Sequence, residues 1–194
     1  MMSGWRLVIA ALVVALAQIG FLGWIIAGRA AVLRNGREIV LKVEPVDPRD
    51  LLRGDYVRLG YEISNIPARM ITGVPTGMLT TEDGPLYVRV RKGEDGYWHP
   101  VSAAFGARPD AAAGPEEADV KGTVREGWSI QGDNTIGVEY GIDRFYLPEG
   151  EGLAIEHDMR VRPFGVRVAL ASDGTPQVKA LLDGDTPLYE EPLY

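Results

Sequence analysis

From Leu7 to Gly28 the chain reads LVIAALVVALAQIGFLGWIIAG, with Gln18 its only strongly polar side chain. As a helix rising 1.5 Å per residue, this run spans about 33 Å, enough for the hydrocarbon core of a bilayer. Trp5 and Trp24 lie near its two ends, where amphipathic rings favour the membrane interface. Arg6 and Arg29 bracket it and can extend their charges outward into water. A cleaved signal peptide is the competing reading, since Gly28-Arg29-Ala30 supplies small residues at suitable offsets. Its apolar run should be only about 7–15 residues long, so an uncleaved anchor over residues 1–29 is expected, with lipid contacting residues 7–28. Orientation is balanced. Arg29, Arg34, Arg37 and Lys42 follow the span and argue for a cytoplasmic body, whereas a very short leading tail is how many signal-anchors begin.

Residues 30–194 form one β-rich body. REIVLKVEPV at 37–46 alternates apolar Ile39, Leu41 and Val43 with polar neighbours, and Pro45 and Pro48 close it with a turn. Tyr56–Ser64 is a second strand, with Val57, Leu59, Tyr61 and Ile63 on one face and Tyr56, Arg58, Gly60 and Glu62 on the other. Further strands are expected at 86–92, 97–103, 120–126, 135–142, 144–148, 164–171 and 177–183. The last two flank Ser172-Asp173-Gly174-Thr175, a hairpin signal. Only 148–160 reads as a short helix, and 103–118, rich in Ala, Gly and Pro, reads as a long flexible loop. The fold class is therefore mainly β, an antiparallel sandwich or partly open barrel with one short helix.

Charge narrows the chemistry. Setting aside Arg6 and Arg29, the body carries 18 basic against 27 acidic side chains, near −9, which repels phosphate backbones and argues against nucleic acid. The absence of cysteine removes disulfides, thiolate zinc sites and thiol catalysis. Leu51-Leu52-Arg53-Gly54-Asp55-Tyr56-Val57 echoes a phrase of membrane-anchored serine–lysine signal peptidases, which place a serine eight residues before the glycine. Val46 stands there, and no Ser or Thr occurs in 38–53, so that mechanism lacks its nucleophile. Carboxylates in pairs remain: Asp47 with Asp50 and Asp55, or Glu139 with Asp143. Acidic residues in turns more often bind backbone amides, and Asp55 reads first as the group that ties its bend. His99 and His157 have no spacing that supports a metal, and no phosphate loop or nucleophile elbow is present.

Gly54-Asp55-Tyr56-Val57-Arg58-Leu59-Gly60-Tyr61 matches every fixed place of the pattern that names the GDYXXLXY family of uncharacterised bacterial membrane-anchored proteins, and the chain resembles that family. The segment from Tyr140 to Gly152 and the tail from Val166 to Tyr194 are similar to its usual run. The resemblance implies a single-span protein with a β-rich body, no cofactor and no known substrate. It also implies an accessory role beside polytopic membrane proteins, with the body outside the cytoplasm of a cell that has an inner membrane. The motif residues Arg53, Gly54, Asp55, Tyr56, Arg58, Leu59 and Tyr61 are the candidate functional surface. Two readings follow: a non-enzymatic envelope module that binds a partner, and an envelope hydrolase using carboxylates near the Gly54-Asp55 bend, with Arg53 or Arg58 positioning an anionic substrate.

Overall fold

The computed structural model describes residues 4–44, 56–74, 83–109, 111–125, 134–147, 155, 158–159 and 161–192, with Tyr56 and Val57 described by backbone alone. The Pro45–Pro48 turn and Arg53-Gly54-Asp55 lie outside the described residues. Helix α1, Gly4–Asn35, is long and apolar enough to cross a membrane, and none of its most apolar window is buried against the body. At about 48 Å it is longer than the hydrocarbon core of a bilayer, which leaves its last turns free to pack elsewhere. There Ala30 and Leu33 bury themselves against the body. The helix thus runs past the boundary at residue 29 that the sequence indicated.

Thirteen strands follow among the described residues. They are β1 Arg37–Glu44, β2 Tyr56–Arg58, β3 Gly60–Tyr61, β4 Asn65–Pro67, β5 Ile71–Thr72, β6 Leu86–Lys92 and β7 Trp98–Phe105. Next come β8 Glu117–Val124, β9 Thr135–Glu139, β10 Arg144–Tyr146, β11 Phe164–Leu170, β12 Pro176–Asp183 and β13 Thr186–Glu190. One sheet runs β13-β12-β11-β1-β3, a second β4-β9-β8-β6-β7-β5, and β10 pairs with β2 alone. Every pairing is antiparallel except β5 with β7. This is the mainly β architecture that the alternating pattern predicts. The expected hairpin is β11–β12, in which Asp173 accepts from the Thr175 N–H at 3.0 Å and Gly174 supplies a φ of +88°.

Three expectations change in detail. Tyr56–Ser64 is not one strand, because β2 pairs with β10 while β3 pairs with β1, and a chain serving two partners must bend between them. A 3-10 turn at Glu62–Ser64 completes the departure, although Leu59, Tyr61 and Ile63 still share the buried side as the alternation required. Strands β4, β5 and β13 escape the sequence pattern, since two or three residues show no period and β13 is exposed nearly throughout. The ends of 103–118 belong to β7 and β8. The residues between are held by Arg89 on the Ala111 carbonyl at 2.6 Å, by Arg37 on those of Gly114 and Pro115, and by Arg108 on that of Ser172. Of 148–160, Ile155, Asp158 and Met159 are described; they are helical, and Ile155 and Met159 are buried.

Gly36 joins α1 to β1 where little else fits. Its N–H donates to the Val32 carbonyl at 2.7 Å, and a Cβ there would lie 2.5 Å from that oxygen and 2.8 Å from the Leu170 carbonyl oxygen. The helix therefore enters the sheet through a turn fixed by two backbone neighbours, and it packs on β11 and β12.

Within the second sheet Arg89 and Asp119 sit directly opposite one another on β6 and β8, each side chain 8% exposed. The fork is bidentate, with Nε to Oδ1 at 2.8 Å and Nη2 to Oδ2 at 3.0 Å. Asp119 holds the Arg89 guanidinium above its usual pKa despite the opposing effect of burial. Asp119→Ala leaves a buried guanidinium without its counter-ion and is expected to cost about 3 kcal/mol in urea unfolding. Replacing both residues with apolar ones of similar volume should recover most of that loss.

Candidate functional site

The motif strand is the seam between the two sheets. Tyr61 pairs with Val43 in the first sheet, and Asn65–Pro67 pairs with Thr135–Gly137 in the second. Residues 56–58 and 65–67 pair antiparallel with 144–146 and 135–137, and single backbone bonds extend the contact at Leu59 and Ala68. Arg58 stands opposite Arg144 and Tyr56 opposite Tyr146. The Leu59 N–H donates to the Asp143 carbonyl at 2.9 Å, and the Ala68 N–H to that of Asn134 at 2.8 Å.

Two tyrosines clasp the seam reciprocally. The Tyr61 hydroxyl donates to the Ile142 carbonyl at 2.6 Å, and the Tyr140 hydroxyl donates back to the Ile63 carbonyl at 2.7 Å. Both rings are buried, and burial pushes both phenols well above their usual pKa, with Asp143 adding to the effect at Tyr61. Each hydroxyl is therefore a fixed donor to a buried carbonyl, not a group that titrates near neutrality. Gly122 makes room, since a Cβ there would lie 2.5 Å from Val138 and 2.8 Å from the Tyr140 ring. Leu59 is buried beside them, so Leu59 and Tyr61 form part of the core of the candidate surface and Arg58 stands exposed at its edge.

A cleft of about 650 Å³ opens over this seam. Arg58, Arg125 and Arg144 line it together with Glu44, Glu139 and Asp143. Of the carboxylate pairs singled out from sequence, Glu139 and Asp143 meet here. Arg125 donates to Glu139 at 2.9 Å, and Arg144 lies 3.7 Å from Asp143. Asp47, Asp50 and Asp55 lie outside the described residues. Three charges of each sign give a cleft suited to polar or zwitterionic groups, without a field that gathers anions. Among the described residues no cluster of three or more His, Asp or Glu side chains is arranged to hold a metal ion.

Next to the seam is a histidine that sequence reasoning weighed only as a metal ligand. His99 Nδ1 lies 2.7 Å from Glu62 and Nε2 lies 3.0 Å from Asp95. Gly93 permits this approach, because a Cβ would lie 2.8 Å from both the imidazole and the Asp95 carboxylate. With acceptors on both nitrogens the doubly protonated ring is favoured. Asp95 first, and then Glu62, raise the His99 pKa, against the lowering effect of burial. The Asp95 carboxyl is lowered in turn, chiefly by that ring. The only hint in the sequence is an Asp four residues before a His around a glycine-rich turn. Glu62, on a distant segment, gives no sequence signal at all.

Two outcomes test these contacts. Tyr61→Phe keeps the ring but leaves the Ile142 carbonyl without its donor, and should cost about 1–2 kcal/mol in urea unfolding. A group whose folded pKa is raised contributes fully below its unfolded value, near 6.5 for His, and loses that contribution as pH rises through the folded value. The difference in melting midpoint between the wild type and His99→Gln should therefore be largest below about pH 6.5 and shrink steadily on the alkaline side.

No curated protein and no solved structure matches the chain. The family model described as GDYXXLXY protein matches residues 18–181, which takes in the C-terminal half of α1, the motif seam, the cleft and most of the β11–β12 hairpin. The chain belongs to the GDYXXLXY family.

Proposed function

We propose that the chain is a single-pass inner-membrane protein of bacteria whose body is a non-enzymatic accessory module outside the cytoplasm, binding a polytopic membrane protein at the cell envelope. The observation that supports this reading is the junction at Gly36. A membrane-spanning helix that passes through a sterically fixed turn into the central sheet holds the body at the bilayer surface in one orientation. A body held so presents the same face to every neighbour in the membrane. The seam supports the same reading. The fixed places of the motif pattern whose side chains are described, Leu59 and Tyr61, are engaged in packing and internal hydrogen bonds, as binding scaffolds require. Arg58 and the charged cleft remain at the surface for recognition, and a polar rim over a rigid floor is the usual form of such a surface.

Photo-crosslinking from position 58 in intact membranes, read by mass spectrometry, should recover one reproducible polytopic partner. A reporter fused to the C-terminus should be active only outside the cytoplasm. Absence of a reproducible partner, together with substrate turnover by the purified protein that Asp55→Asn abolishes without unfolding it, would replace the module with the hydrolase.

A further inference from the structure

Where α1 meets the body, two cavities of about 790 and 800 Å³ open around Arg29. Ile25, Arg29, Tyr146 and Glu191 line both, so the two form one groove that wraps the foot of the helix. Its depth follows from the span. The apolar run ends at Gly28, one residue before Arg29, which places that guanidinium at the level of the lipid phosphates. Ile25 and Ile26 face the groove from the hydrocarbon side, while Asp143, Arg144 and Glu191 face it from the water side. Exposed Trp24 and Tyr146 flank the boundary, as aromatic side chains do at a bilayer interface.

The charges discriminate among headgroups. Arg29 and Glu191 border both cavities, and neither has an ion pair or side-chain hydrogen bond among the described residues. Arg144, 3.7 Å from Asp143, adds a second cation together with that carboxylate on one side, and Glu190 adds a further carboxylate on the other. A singly anionic headgroup would meet the two arginines but also the carboxylates. A headgroup that carries a phosphate and a hydrogen-bonding ammonium matches both sets, with charge-assisted bonds at each end. The wall also contains Gln177, whose buried Oε1 is the one described side-chain atom of its kind with no hydrogen-bond partner.

We propose that the groove seats one phospholipid with a zwitterionic, primary-ammonium headgroup, its phosphate at Arg29 and Arg144, its ammonium at Glu191, and an acyl chain along Ile25 and Ile26. This rests on the reading of α1 as a membrane anchor. The bound lipid fills the space between helix and body and so completes the orientation that the Gly36 turn begins. A quaternary ammonium cannot donate hydrogen bonds to Glu191, and a glycerol headgroup brings no positive charge to it. Selectivity among lipids is therefore part of the proposal.

The test uses the full chain, delipidated in detergent and offered phosphatidylethanolamine, phosphatidylcholine and phosphatidylglycerol separately, with retained lipid counted by native mass spectrometry. One phosphatidylethanolamine per chain should be retained about tenfold more tightly than either of the others, equivalent to about 1.4 kcal/mol. Arg29→Gln should weaken its retention by a similar factor. Glu191→Gln, one residue past the exposed strand β13, should abolish the preference over phosphatidylglycerol while leaving the melting midpoint of the lipid-free protein unchanged. Equal retention of all three lipids, preference for phosphatidylglycerol, or unaltered selectivity in Glu191→Gln overturns the proposal. Alkaline extraction separates the two levels. A chain that stays with the membrane yet shows no lipid preference removes only the groove, whereas a chain released from the membrane removes the anchor and the groove together.

Discussion

The reciprocal pair of tyrosine hydroxyls on backbone carbonyls, Tyr61 on Ile142 and Tyr140 on Ile63, holds the molecule together at its one shared seam. Every sheet edge has backbone groups that need partners, and here one segment satisfies the edges of two sheets in succession. Such a segment must turn sharply between its partners, and sharp turns leave carbonyls that no ladder can reach. The two phenols reach them. Because each donor comes from the segment opposite, neither half of the seam can move without breaking a buried hydrogen bond of the other. The cleft above inherits that rigidity, since Arg58, Glu139, Asp143 and Arg144 all spring from the clasped segments.

A second constraint acts at the other end of β1. The helix delivers the chain to Gly36, the strand begins at Arg37, and six residues later the same strand pairs with the motif through Val43 and Tyr61. Span, junction, central sheet and seam therefore lie along one short, stiff path. The path also lays the groove around Arg29 against the 141–146 segment, so the clasp that orders the cleft orders one wall of the groove as well. The cleft and the groove thus share a single structural support.

Much of this was legible in the chain because the signals are local. An uninterrupted apolar run, the alternation of Ile39, Leu41 and Val43, and an Asp-Gly between two alternating segments each report on a neighbourhood of a few residues. The alternation at 57–63 was likewise correct about burial, although Tyr56–Ser64 turned out to be two strands and a turn. Face and element came apart there because burial depends on side-chain direction, while strand identity depends on which partner accepts each N–H. Two-residue strands such as β5, and β13 with its exposed side chains, have no periodicity to read.

The site was less legible for a related reason. Glu62, Asp95 and His99 meet across 37 positions of sequence, Arg89 meets Asp119 across 30, and Arg29 and Glu191 line one groove from nearly opposite ends of the chain. No spacing encodes such meetings. The sequence by itself determined the long apolar helix, the β-rich class, the buried alternation of the motif and membership of its family, since each depends on composition or on period along the chain. Only the tertiary structure decided that the motif is an inter-sheet seam, that its second tyrosine is a hydrogen-bond donor to a distant carbonyl, and that charges of both signs gather where the helix meets the body. Those outcomes depend on which distant backbone each edge finds, and that choice is made by the packing of the whole core.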